Sequence, residues 1–257
     1  MNKNEAILVV SFGTSHNDTR EKTIDAIESD IASAYPSRRV YRAWTSKMIT
    51  AKVNKRDHIH INSVREAMAQ MLLDGITDVF VQPTHVINGV ENDLMKEDAL
   101  SFRDSFSSVA FGNPVLTTEK DNTLAVEAVC SEFSDLSTDE VLVLMGHGTT
   151  HYANSIYAAL DYRFKDMDHK NIFLGTVEAY PSMESLMKLV KEFKPRRVLL
   201  APFMIVAGDH AKNDMAGDNP DSWYNQFKNA GFNVACAMKG LGEYKGIREL
   251  LISHIAV

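Results

Sequence analysis

The chain has 257 residues, 45% of them hydrophobic and 24% charged, as expected of an ordinary globular protein with a sizeable core. Its net charge of −7 argues against a nucleic-acid binder, which presents a basic surface, yet leaves room for a local pocket that takes an anionic small molecule. The two cysteines, Cys130 and Cys236, form no CxxC pair, and there is no signal-peptide core and no apolar run near 18 residues, so a cytoplasmic protein without disulfides or a membrane partner is expected.

In chain order, Ala6 to Ser11 reads as a buried strand ended by Gly13. Asp18 to Ala34 has helical spacing, with Ile24, Ile27 and Ile31 on one face. Arg39 to Trp44 is a second strand, and Lys47 to His60 has no clear period. Asn62 is a candidate cap for a helix over Ser63 to Leu73 that ends at Gly75. Asp78 to Gln82 is a strand stopped by Pro83; a loop and a helix over Glu91 to Asp104 follow, then a short strand at Val109 to Phe111. Leu124 to Phe133 is helical. Thr117 to Thr138 is dense in Ser, Thr, Asp and Glu and is the expected linker region.

The pattern then restarts. Val141 to Met145 is a strand broken by Gly146-His147-Gly148, and Tyr152 to Phe164 is a helix. Ile172 to Val177 is a strand, and Pro181 suits the first turn of a helix that runs to Phe193. Arg197 to Pro202 is a strand, Ser222 to Ala230 a helix, Phe232 to Ala237 a strand and Tyr244 to Ile255 a last helix. Strands alternating with helices imply βαβ units, parallel sheets and helices on both faces.

The two halves resemble each other. ILVVSFGTS matches VLVLMGHGTT, and VFVQPTHVINGVENDLM matches VLLAPFMIVAGDHAKNDM. Arg42-Ala43-Trp44 is set against Glu178-Ala179-Tyr180. The fold class expected is α/β: two similar parallel-sheet lobes, an internal duplication around a central cleft, with residues 1–120 as the N-terminal lobe and 121–257 as the C-terminal lobe.

The differences between the repeats single out residues. Phe12 stands opposite His147, Arg42 opposite Glu178 and Glu91 opposite His210. The second half therefore carries two His and one Glu, each at the carboxyl end of its own strand, where open α/β sheets bind ligands. Such a set suits a divalent transition metal with open positions, and either His can accept a proton near neutral pH. Other groups carry weaker signals. His58 and His60 share a face if extended, as on an edge strand. His85 follows the third strand and points near the cleft mouth, and His151 and His16 suit helix starts. The Gly13-Thr14-Ser15 and Gly148-Thr149-Thr150 turns lead into helices and can offer backbone N–H groups to an anion. No Gly-x-Ser-x-Gly elbow is present, which argues against an α/β-hydrolase.

SFGTSHNDTR, THVINGVEND, GHGTTHYANSIYAALD, VEAYPS, APFMIVAGDHAKNDMAGDNPDSW and KGLGE together resemble the anaerobic cobalt chelatases of cobalamin biosynthesis, the CbiK family of class II chelatases, over nearly the whole chain. The resemblance implies two α/β halves and ATP-independent insertion of Co2+, as substrate metal, into sirohydrochlorin or its precursor precorrin-2, with no organic cofactor. It implies His147 and His210 as the catalytic, proton-accepting pair and His147, Glu178 and His210 as the metal ligands. Phe12, Gly13, Thr14, His85, Glu91 and Gly148 are the expected substrate-binding positions. The partners expected are the tetrapyrrole and a second copy of the chain, with no nucleic acid and no membrane. Arg42, Lys47, Lys52 and the two turns are candidates to receive the substrate's eight carboxylates. The alternatives are a chelatase that inserts Fe2+ or Ni2+ into a related tetrapyrrole, and a tetrapyrrole- or metal-binding protein without turnover.

Overall fold

The computed structural model describes residues 4–255. Among them, the first 117 positions carry β1 (Glu5–Ser11), α1 (Asn17–Lys22), α2 (Ile24–Ala34), β2 (Arg39–Trp44), α3 (Lys47–Asp57), α4 (Val64–Leu73), β3 (Asp78–Pro83), α5 (Val90–Leu100) and β4 (Ser108–Phe111). The chain continues through α6 (Glu119–Glu132), β5 (Glu140–Gly146), α7 (Ser155–Asp166), β6 (Ile172–Thr176), α8 (Met183–Phe193), β7 (Arg197–Pro202), α9 (Trp223–Asn229), β8 (Val234–Cys236) and α10 (Lys245–Ser253). The α/β class is borne out: among the described residues there are two sheets, ordered β2-β1-β3-β4 and β6-β5-β7-β8, and every strand pairing in them is parallel.

The duplication is visible in the register. Val10 lies beside Pro83 and Met145 beside Pro202, so the two prolines close equivalent strands. Register also corrects one sequence match. Val9 pairs with Arg42 and Leu144 with Leu174, so the counterpart of Arg42 is Leu174. The Ser46 amide donates to the Phe12 carbonyl (3.2 Å) just as the Glu178 amide donates to the His147 carbonyl (3.0 Å). The counterpart of Glu178 is therefore Ser46, four residues further on than residue similarity alone suggested.

Each sheet is buried because its central strand is apolar on both faces. Ala6, Leu8 and Val10 of β1 pack with Val64, Ala67, Met68 and Met71 of α4 and with Met95 and Ala99 of α5. Ile7 and Val9, on the other face, are fully buried as well. In the second sheet Val141, Val143 and Met145 pack against Leu186 and Val190 of α8 and Trp223 and Phe227 of α9. Each such aliphatic side chain contributes about 1.5–3 kcal/mol of burial free energy.

Several helices begin or break where side chains dictate. The long helix expected from Asp18 divides at Thr23, whose hydroxyl donates to the Thr19 carbonyl (2.6 Å). The unassigned stretch after Trp44 is a helix, capped by Ser46 and closed by His58 at φ 53. His58 and His60 thus lie on no strand, and His60 faces Glu66 at 3.4 Å. Ser63, not Asn62, caps α4 in a reciprocal box with Glu66. Pro181 lies ahead of α8, whose cap is Ser182. The expected linker is largely the helix α6, because Thr118 and Asp121 form a capping box and start it.

The chain forms two compact units. The first ends at Thr117 and takes in the chain again from Ile247; the second is Thr118–Gly246. The last helix, assigned on sequence to the second half, is tied to the first: Arg248 pairs with Asp30 (2.6 Å), and the Tyr35 hydroxyl lies 3.2 Å and 3.0 Å from the carbonyls of Ile252 and Ile255. Among the described residues, no helix is long and apolar enough to cross a membrane, and Cys130 and Cys236 are unpaired.

Candidate metal centre

Parallel pairing puts the carboxyl ends of β5, β6 and β7 on one edge of the second sheet. Beyond Gly146 the ladder continues, with the Val177 amide on the Gly146 carbonyl and the Glu178 amide on the His147 carbonyl, both at 3.0 Å. This extension sets His147 and Glu178 side by side, with His147 Nδ1 and Glu178 Oε2 3.9 Å apart. From β7 the chain turns after Pro202, anchored by the Phe203 amide on the Met145 carbonyl (2.7 Å), and delivers His210 at the start of a π-helical turn, Ala211–Met215. The two imidazole rings meet edge to face, with centroids 4.6 Å apart and planes at 86°.

One ligand atom from each of His147, Glu178 and His210 lies within 4.8 Å of the others. Donors around a shared first-row ion sit about 3–4 Å apart, so the set is slightly open and small side-chain rotations complete it. All three side chains are a third or more exposed, so an incoming ion has access. Both rings are oriented by their Nδ1 atoms. His147 Nδ1 is 2.8 Å from the Gly148 carbonyl, and His210 Nδ1 is 2.6 Å from Asp214 Oδ2. A carbonyl and a carboxylate only accept, so each Nδ1 carries the hydrogen and each Nε2 is left as the free donor atom. Two imidazoles and one carboxylate make a borderline ligand set suited to a divalent transition ion with positions to spare.

The sequence profile of the cobalt chelatase (CbiK) family matches residues 5–257. The chain belongs to that family. A sirohydrochlorin cobaltochelatase of Salmonella typhimurium (strain LT2) is 38% identical over 251 residues, which cover 98% of this chain and 95% of the relative. Sirohydrochlorin cobaltochelatase CbiKC of Nitratidesulfovibrio vulgaris is 29% identical over 258 residues, covering 98% and 89%. Among solved structures, SirB from Bacillus subtilis with Fe3+ superposes with a TM-score of 0.67 at 10% identity, over 98% of this chain and 94% of that one, which is a likeness of fold.

The other positions expected in this CbiK-family chain fall into two kinds. Phe12 is 45% exposed, and Glu91 is half-buried in the first turn of α5. Gly13, Thr14 and Gly148 lie in close-packed turns. Gly13 has φ +99, and a Cβ there would meet the Trp44 ring at 2.7 Å. Thr14 is buried, its hydroxyl accepting from the His16 amide (3.2 Å). The turn after Gly148 uses its own amides: Thr149 N–H donates to Asn154 Oδ1, and His151 N–H to Thr149 Oγ1. These two donors are therefore not free for an anion. Arg42, expected to receive a substrate carboxylate, is instead held by Asp25 and Glu28, while Lys47 and Lys52 are exposed on α3.

His85 is the unexpected case in this chelatase-family chain. It is 9% exposed, and among the described residues neither ring nitrogen has a hydrogen-bond partner. Burial pushes its pKa down to about 4, opposed only in part by the neighbouring Asn92 amide, whose nitrogen donates to Asn88 Oδ1 at 3.3 Å. The unfolded chain takes up this proton near pH 6.5, but the folded chain does so only near 4. Stability from this group is thus complete above about pH 6.5 and falls as pH drops toward 4, by about 3 kcal/mol at most. Urea unfolding at pH 7.5 and pH 5 reads the loss, and His85→Gln flattens the dependence; equal slopes in the two proteins would refute the assignment.

Two site features escaped sequence reasoning. Ser46 as the counterpart of Glu178 needed the strand register. Asp214 lies four residues after His210, and that i, i+4 spacing was the available signal for the pair.

Proposed function

We propose that this chain inserts Co2+ into sirohydrochlorin without ATP or an organic cofactor, as a cytoplasmic enzyme of anaerobic cobalamin synthesis. The observation that supports this most is the convergence of His147, Glu178 and His210 from three strand ends onto one point. Family membership and the names of the two sequence relatives agree with it.

Metallation removes two N–H protons from the macrocycle and strips water from the cation. In this reading Glu178 and the free Nε2 atoms of His147 and His210 take the place of part of the hydration shell. Three exposed ligands hold the ion loosely enough to release it to four macrocycle nitrogens, whereas a closed four-ligand cage retains its metal. An imidazole freed from the metal then accepts a pyrrole proton, a general-base step for which histidine is the usual side chain. Phe12, Gly13, Thr14, His85, Glu91 and Gly148 belong to the proposal as substrate-binding positions. Phe12 supplies exposed aromatic surface, and the Gly13 turn beside it lies close against the Trp44 ring.

The test is incubation of the purified protein with sirohydrochlorin and Co2+ under anaerobic conditions, without nucleotide, followed by visible absorption. The spectral change of metallation, faster than in protein-free buffer, is the expected result; macrocycle binding without that change sinks the enzymatic reading. Glu178→Gln keeps the shape and removes the charge, and is expected to weaken Co2+ binding about 10-fold or more, read by titration of the visible cobalt bands. A panel of Co2+, Fe2+ and Ni2+ in the same assay ranks the metals, because His and carboxylate ligands alone select weakly among them.

A further inference from the structure

We propose that Asp214 is a positioning residue of the metal centre. Its carboxylate accepts the Nδ1 hydrogen of His210 and so holds the tautomer and ring orientation that present Nε2 to the ion and to the macrocycle. The inference rests on the reading of His210 as a metal ligand and proton acceptor, and it names a residue with no role in that reading so far.

Three observations carry it. The first is the contact itself, Nδ1 to Oδ2 at 2.6 Å, a short hydrogen bond to a charged acceptor. The second is the way the two repeats differ. In the first unit, Glu91 is followed by buried Asn92 and, four residues after itself, by buried Met95. In the second, His210 is followed by buried Ala211 and, five residues after itself, by buried Met215. The second repeat thus holds one extra residue between two shared anchor points. The chain accommodates it as a π turn, with the Ala216 amide on the Ala211 carbonyl at 3.1 Å. Without the extra residue, the position four after His210 would be the buried methionine. With it, methionine still fills the core, and a half-exposed carboxylate stands beside the imidazole instead. The third is Gly217, whose amide closes the turn on the Asn213 carbonyl (3.2 Å) and where a Cβ would overlap that same oxygen. The widened turn is therefore built into the local sequence. Single π turns of this kind gather at functional sites. A carboxylate behind a ligating imidazole fixes the ring and makes it a better donor.

His147 has the same arrangement with a neutral partner, the Gly148 carbonyl. A side-chain substitution cannot remove that backbone acceptor, so Asp214 is the member of the pair open to test. The experiment records long-range proton–nitrogen correlations of the histidine rings in metal-free wild type, D214A and D214N. His210 is identified by loss of its signals in H210A. The expected result is Nδ1–H at His210 in wild type and in D214N, where the amide oxygen still accepts, and a tautomer mixture in D214A. Co2+ titrations of the same proteins are expected to show affinity reduced about 10–100-fold in D214A and less in D214N. If His210 keeps Nδ1–H in D214A, the proposal is overturned, and a fall in Co2+ affinity at unchanged tautomer makes Asp214 a metal ligand instead. Since the ring spectra need no metal, failure of the wild type to bind Co2+ would count against the functional reading, while the tautomer still decides the role of Asp214.

Discussion

His210→Ala lowers the rate of Co2+ insertion by about 1,000-fold and leaves the fold unchanged. His210 touches His147 ring to ring and Asp214 through Nδ1, but its side chain is 35% exposed, so its removal opens no cavity in the core. The cost to stability is accordingly small, within about 1 kcal/mol. On the proposed reading the loss falls on chemistry, because one metal ligand and one proton acceptor leave together while His147 and Glu178 remain. Rates from visible absorption, with circular dichroism and thermal melts as the control for folding, check both halves of the expectation. Near-wild-type turnover in a folded variant would remove His210 from the mechanism.

Gly148→Ala is the second large effect, and it acts through geometry. Gly148 has φ +87, a region that costs a side-chain-bearing residue strain. An added Cβ would also lie 2.9 Å from the Ala179 amide nitrogen and 2.9 Å from Thr176 Cβ. Those atoms flank Glu178, and the residue before Gly148 is His147, so relief of the clash pushes two of the three proposed ligands apart. The same residue's carbonyl orients the His147 ring. Strain and overpacking together destabilise the chain by about 3 kcal/mol, and Co2+ affinity falls about 10-fold or more. Urea denaturation and cobalt titration measure the two effects separately. Retained affinity at reduced stability would mean that Gly148 serves the fold alone.

Much of this molecule is legible in one dimension because its determinants are local. The apolar run Ile7 to Val10, the Ile24-Ile27-Ile31 stripe and the prolines that close β3 and β7 are set by near neighbours. The repeat follows from similarity at a distance, and equal sheet orders bear it out. The helix α3 was illegible because its sequence, KMITAKVNKRD, has only Val53 buried and no apolar period to read; its cap, Ser46, starts it. Arg42 was misread for a related reason. Whether a guanidinium is free depends on partners 14 and 17 residues away, Glu28 and Asp25, which only the packing of α2 on β2 brings to it.

By itself, then, the sequence determined the α/β class, the duplicated halves, the family, and His147, Glu178 and His210 as the residues to watch, because strand ends, repeats and long motifs are properties of residue order. The tertiary structure alone decided that these three side chains come within 4.8 Å of one another, that Glu178 answers to Ser46 rather than to Arg42, and that the extra residue after His210 becomes a π turn with Asp214 at the imidazole. Register between strands and the hydrogen-bonded width of a helical turn are relations between distant or competing backbone groups. They have no expression in residue order until the chain is packed.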